Sequence, residues 1–181
     1  MRRRGVEPKN GLVLALLLTS FILLGGVQPH RTATAVFLVR HAEKDTMKID
    51  PPLSAYGRRR AVALARLLRN TKISETYATQ YIRTQETVRP LCDSLTIRCS
   101  IIETNRDSVE RDARSLATAI LRHHHGDTVL VCGHSNTIPL IIKAFGVVES
   151  VAIADQEYDA IFLVTVPDSG KPALTRQRFG K

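Results

Sequence analysis

A chain of 181 residues, 44% of them hydrophobic, is long enough for one globular domain with a real core and short for two. Its formal charge of +9 would suit an anionic partner, but residues 1–35 alone carry five basic residues against Glu7, a net of +4, leaving +5 for the other 146. No basic run with interleaved aromatics occurs beyond Arg58-Arg59-Arg60, which reads as a solvated helix face, so no nucleic-acid partner is expected.

The N-terminus reads as an address. Arg2, Arg3, Arg4 and Lys9 precede an uncharged stretch from Gly11 to Val27, the pattern of an export signal. Residues 1–35 are therefore expected to be a signal peptide or N-terminal membrane anchor, followed by one domain over 36–181. Ala33-Thr34-Ala35 fits a small-x-small cleavage site. If uncut, residues 11–27 would hold the protein to a membrane with the domain outside. Both outcomes imply an extracytoplasmic location, periplasmic or secreted. Cys92 and Cys99 could close a small disulfide in such a compartment, whereas Cys132 reads as a small core residue.

Strand and helix patterns then alternate. Val36 to Val39 is a continuous apolar run, as in a strand buried on both faces. Ser54 can cap a helix running to about Asn70, with Ala61, Val62, Leu64, Ala65 and Leu68 on its buried face. A strand from Ile73 to Ala78 leads to a helix holding Arg83 and Thr87, which Pro90 should end or kink. Ile97 to Ile102 reads as a strand. Asp107 and Glu110 form a capping-box pattern for a helix with the stripe Val109, Ala113, Leu116, Ala117 and Ile120, ending at Gly126. His123-His124-His125 falls in its last turn, where cations suit the helix dipole. Thr128 to Cys132 is a strand, Thr137 to Phe145 a short helix and Tyr158 to Val166 a last strand. The alternation predicts an α/β fold, a three-layer α/β/α sandwich with a mainly parallel sheet.

His41 and His134 each follow a buried-strand pattern, although 93 residues separate them. In open parallel sheets ligands bind beyond the carboxyl ends of the strands, so these two ends can meet at a crevice. Arg40 precedes His41, and Arg83 lies near the start of the second helix. Two arginines and two histidines, with no metal-ligand spacing and no nucleotide-binding glycine loop, suit a tetrahedral oxyanion. Arginine offers a permanently charged fork of donors, and histidine is either a neutral nucleophile or a charged donor near neutral pH. Glu43 and Lys44 read as a solvated pair beside this pocket. Asn136 could touch substrate or cap a helix.

The segments Leu38-Val39-Arg40-His41-Ala42-Glu43, Leu53 to Ala61, Tyr77 to Thr87 and Val131-Cys132-Gly133-His134-Ser135 resemble, in this order, those of the histidine phosphatase superfamily, the phosphoglycerate mutase-like enzymes. The resemblance implies that His41 attacks phosphorus and becomes a phosphohistidine. Arg40, Arg83 and His134 would then hold the phosphoryl oxygens, helped by the Ser135 amide, with no cofactor and no metal. The expected substrate is a phosphorylated small molecule or phosphoprotein, hydrolysed as a phosphomonoester or phosphohistidine.

Two departures stand out. Ala42 replaces the family's usual glycine, and Ser135 stands where one branch carries an acid. Glu103, ahead of Asp107 and Glu43, is the sequence's candidate for protonating the leaving oxygen. A missing acid would favour good leaving groups, as in the compact bacterial phosphohistidine phosphatase-like members. The alternatives are a phosphate-recognition module without turnover, and a phosphomutase, which the short chain disfavours because little covers the site against water. The sequence carries no signal for an oligomeric state.

Overall fold

The computed structural model describes residues 33–46 and 49–180; the apolar segment of residues 11–27 lies outside them. In chain order the elements are β1 (Thr34–Arg40), α1 (Ala55–Leu68), β2 (Ile73–Thr79), α2 (Ile82–Leu95), β3 (Arg98–Ile102), a 3₁₀ turn (Arg106–Ser108), α3 (Val109–His123), β4 (Thr128–Gly133), α4 (Ile138–Ala144), β5 (Ala160–Val166) and β6 (Ala173–Arg178). The six strands form one sheet in the order β3-β2-β4-β1-β5-β6, parallel from β3 to β1 and antiparallel at β5 and β6.

Period-two alternation in β1 sends its side chains to two cores. Val36 and Leu38 pack with Leu116, Ile120, Ile138 and Ile142 from α3 and α4. Val39 packs with Leu64, Leu68, Val88 and Leu91 from α1 and α2. Helices on both faces of the sheet make the three-layer α/β/α sandwich that the alternation predicts.

Local chemistry sets several boundaries. The Ser54 hydroxyl accepts the Gly57 amide at 3.1 Å and starts α1. Gly126, at φ 78°, turns the chain between α3 and β4. Gln80 ties the end of β2 to that of β3, donating to the Thr104 carbonyl at 2.9 Å and accepting its amide at 3.1 Å.

Other expectations are corrected. Pro90 does not end α2, which runs on to Leu95. Burial of Val88, Leu91 and Cys92, each apolar side chain contributing roughly 1.5–3 kcal/mol, outweighs the roughly 3 kcal/mol cost of an interior proline. The capping box at Asp107 is absent. Instead Asn105 caps the 3₁₀ turn, and Asp112 accepts from the Asn105 amide at 3.1 Å and the Ser108 hydroxyl at 2.8 Å. Val62 is exposed. Arg60, by contrast, is buried and ion-paired to Glu43 at 2.7 Å rather than solvated. Of the three histidines only His123 falls in the last turn of α3; His124 is its C-cap, buried and bonded to the Tyr77 hydroxyl at 2.7 Å. Strand β5 begins at Ala160 rather than Tyr158, and the polar edge strand β6 is an addition to the expected elements. Cys92 and Cys99 are free thiols. Their mutual hydrogen bond raises the Cys92 thiol and lowers that of Cys99.

Strand β1 begins two residues before the expected domain start at Val36. The buried Thr34 hydroxyl donates to the His124 carbonyl at 3.3 Å and accepts the Gly126 amide at 3.1 Å; the Ala35 amide donates to the Asp127 carbonyl at 2.9 Å. Cleavage after Ala35 would remove all three bonds. A chain beginning at Val36 should therefore be about 2 kcal/mol less stable in urea denaturation than one beginning at Arg31. Equal midpoints for the two would show that these residues add nothing.

Candidate active site

The site lies at the carboxyl ends of the parallel strands. Arg40 on β1 pairs with Gly133 on β4, and the next amide, that of His41, donates to the Gly133 carbonyl at 2.9 Å. This pairing brings His41 beside His134, with ring centroids 5.3 Å apart. Gly133 is required there, since a Cβ would meet the Thr137 hydroxyl at 2.6 Å, and that hydroxyl accepts the His134 amide at 2.8 Å.

His41 Nδ1 lies 2.7 Å from the Ala42 carbonyl. A carbonyl only accepts, so Nδ1 carries the proton in the neutral ring and Nε2 keeps its lone pair. Burial, with His134, Arg83 and Arg40 adding repulsion, outweighs the bond to Ala42 and pushes the His41 pKa down to about 3. His134 is pushed down to about 4, by burial first and then by Arg83 and Arg40. The phosphate-free pocket therefore holds neutral histidines among arginines near neutral pH.

The His134 tautomer follows from a hydroxyl chain. Thr84 donates its single proton to the Tyr81 carbonyl at 2.7 Å or the Thr79 carbonyl at 3.0 Å, so it accepts from Thr79 Oγ1 at 2.9 Å. Thr79 must then accept from His134 Nε2, 3.0 Å away. His134 Nδ1 is left as the nitrogen that gains a proton when an anion arrives.

Tyrosines and arginines bracket the two rings. Tyr158 lies 5.9 Å from His41 with the Arg40 guanidinium 4.2 Å over its ring. Tyr81 lies 5.2 Å from His134 with Arg83 at 4.4 Å. Arg40 Nη1 donates to the carbonyls of Ala154, Asp155 and Glu157 at 2.8–3.3 Å, and Arg83 Nη1 pairs with Asp50 at 3.1 Å. The Nε of each arginine is buried and has no hydrogen-bond partner within the described residues. These two N–H groups are donors held for an acceptor other than the protein.

A cavity of about 250 Å³ brings together His41, Arg83, His134 and Ser135 with Asn136. Arg40 does not line it; the three carbonyls hold its outer end behind His41. Helix α4 starts only at Ile138, so the Ser135 amide is no part of its first turn. Glu103 is exposed and lines the adjoining cavities rather than this one. Asp107 borders one of those, and Glu43 is held by Arg60. None of the three candidate acids reaches the His41 cavity. The reason is topological: β3 stops at Ile102, and the turn after it aims Thr104, Asn105 and Arg106 inward.

Lys44, read as solvated beside the pocket, lines the cavity, while Glu43 pairs with Arg60; sequence reasoning missed Tyr81 and Arg106, which also line it, and Asp50 and Tyr158, which hold Arg83 and Arg40. Only Tyr81 lay within a motif, two residues before Arg83. Ala42 is tolerated in place of glycine because the only non-glycine residues at positive φ among those described are Lys72 and Thr96.

Residues 36–107 match the model of the histidine phosphatase superfamily (branch 1). No curated protein matches the chain. Among solved structures it is similar to the protein histidine phosphatase SixA complexed with tungstate, at 22% identity and TM-score 0.59 over 80% of this chain and 96% of that one. A mycobacterial glucosyl-3-phosphoglycerate phosphatase has 14% identity and TM-score 0.63 over 81% and 99%. A phosphoserine phosphatase from Entamoeba histolytica in complex with 3-phosphoglyceric acid has 14% identity and TM-score 0.62 over 82% and 97%. At these identities the likeness is one of fold.

The depressed histidines set a pH dependence. Between the ordinary value of 6.5 and the folded values of about 3 and about 4, the unfolded chain binds more protons than the folded one. Their contribution to stability is full above pH 6.5 and is lost as pH falls through that window. Denaturation midpoints should fall on acidification from pH 6.5 to 4, and more steeply for wild type than for His41→Asn/His134→Gln. Parallel curves for the two proteins would contradict the assignment. The matched family segment and the shared fold bear out the resemblance read from the sequence, to the histidine phosphatase superfamily.

Proposed function

We propose that this chain is an exported phosphatase that hydrolyses phosphomonoesters, or phosphohistidine, through a phosphohistidine on His41. The observation that carries the reading is the His41 tautomer: Nδ1–H bound to the Ala42 carbonyl, Nε2 bare, and two unpartnered guanidinium Nε–H groups alongside. The Nε2 lone pair forms the N–P bond as the bond from phosphorus to the leaving oxygen breaks, with its electron pair going to that oxygen. Nδ1–H stays on Ala42, and the positive charge arising on the ring faces the phosphoryl dianion. Arg83, which lines the cavity, stabilises charge on the non-bridging oxygens, and Arg40 adds its positive charge from behind His41. His134, protonated at Nδ1 in the presence of that dianion, adds a further donor. Water then attacks phosphorus, the N–P bond breaks and its electrons return to Nε2.

No carboxylate lines this cavity among the described residues, so the leaving oxygen draws its proton from water. Turnover should accordingly favour good leaving groups such as aryl phosphates and phosphohistidine. The same gap favours a second reading, a phosphate-recognition module without turnover.

With 32P-labelled aryl phosphate, rapid acid-free quenching should trap label that is acid-labile and absent in His41→Ala. Arg83→Ala should lower kcat by about 10²–10³. Phosphate binding without turnover or label would instead establish the recognition module.

A further inference from the structure

A second cavity, of about 360 Å³, adjoins the phosphate cavity, and Thr104, Val109 and Thr137 line both. Its floor is one face of α3, Val109, Ala113, Leu116 and Ala119, opposed by Ile102 of β3 and Ile141 of α4. These α3 positions repeat at helical spacing. The groove they form runs about 15 Å from the phosphate end, at the common wall residue Val109, to Ala119. Protein interiors are close-packed, so an apolar cavity of this size that shares three lining residues with the candidate active site is a binding feature rather than ordinary core.

The charges assign its direction. Lys44, Arg83 and Arg106 surround the phosphate cavity, whereas Glu103 and Asp112 border the groove. Asp112 is fixed there by the Asn105 amide and the Ser108 hydroxyl. An anion is attracted to one end and repelled along the other. A ligand satisfying both carries its phosphate at His41 and an uncharged apolar group along α3.

We propose that the groove along α3 is the leaving-group subsite, and that the substrates are amphiphilic phosphomonoesters whose leaving group is an uncharged, apolar aryl alcohol. The inference rests on the phosphatase reading for the identity of the alcohol as leaving group, while the subsite itself is read by binding. An apolar alcohol enters with its ester oxygen at the shared wall of Thr104, Val109 and Thr137. Its departure requires only the protonation from water described above.

The test is calorimetry on the full chain with three non-hydrolysable probes: methylphosphonate, octylphosphonate and 7-carboxyheptylphosphonate. Octylphosphonate should bind at least about tenfold more tightly than methylphosphonate, through burial of its chain. The carboxylate-terminated probe should show little of that gain. Ala119→Phe, and the milder Ala119→Leu should the first fail to fold, should abolish most of the gain and leave methylphosphonate binding unchanged. Equal affinity for octyl- and methylphosphonate, or an equal gain for the carboxylate-terminated probe, would overturn the proposal. Tight octylphosphonate binding in a protein that turns over no aryl phosphate would keep the subsite and defeat the phosphatase reading. Turnover of aryl phosphate without the octyl gain would do the reverse.

Discussion

The parallel pairing of β1 with β4 is the constraint on which everything else depends. Its last rung sets Arg40 against Gly133, and the His41 amide caps the ladder on the Gly133 carbonyl. One register step in either strand would turn its side chains to the opposite face and separate the two histidine rings. The register is held by apolar runs packed on both faces, Val36 to Val39, with Phe37 half-buried, and Val129 to Cys132, so core packing and site geometry are one specification. The loops leaving this junction are then tied down by α2: the Ala42 amide donates to Thr87 Oγ1 at 3.0 Å and the Leu53 amide to Glu86 at 2.7 Å. On the other side Gly57 packs directly on Glu43, where a Cβ would lie 2.0 Å from the carbonyl oxygen.

A cluster of arginines at the end of a buried sheet is costly unless each charge has partners. Here the outer donors of Arg40 are spread over backbone carbonyls, and Arg83 is paired with Asp50, while aromatic faces of Tyr158 and Tyr81 cover the planes. Among the described residues the buried Nε–H group of each arginine has no hydrogen-bond partner. Burial first, and this positive field after it, keep both histidines neutral, as the proposed nucleophilic role of His41 would require. In the proposed reaction an arriving dianion would reverse the local field, so His134 would change from neutral ring to charged donor when its charge becomes useful.

Much of this was legible in the sequence because it is local. Buried strands announce themselves as apolar runs, their ends as the residues that follow, and the arginines and histidines fall inside short motifs. What was not legible depends on contacts remote in sequence. Arg60 reads as surface within Arg58-Arg59-Arg60 until its partner Glu43, on another loop, is known. Pro90 reads as a breaker because the burial that outweighs it comes from the sheet beneath. Strand β6 is polar because it lies at an edge, where only backbone pairing to β5 defines it. Glu103 directly follows β3, yet the turn there aims its neighbours into the site instead. The groove along α3 was half visible: its stripe of small and apolar residues reads as core, and only the packing reveals that part of it faces a channel.

The central claim is that His41 is held neutral, with its proton on Nδ1 and its lone pair on Nε2. Nitrogen-15 NMR of the histidine rings in the phosphate-free protein, followed from pH 8 to pH 4, tests it most directly. The account predicts that His41 shows the Nδ1–H tautomer and stays neutral to below pH 5. A His41 ring that carries its proton on Nε2, or that titrates near the ordinary value of 6.5, would contradict it.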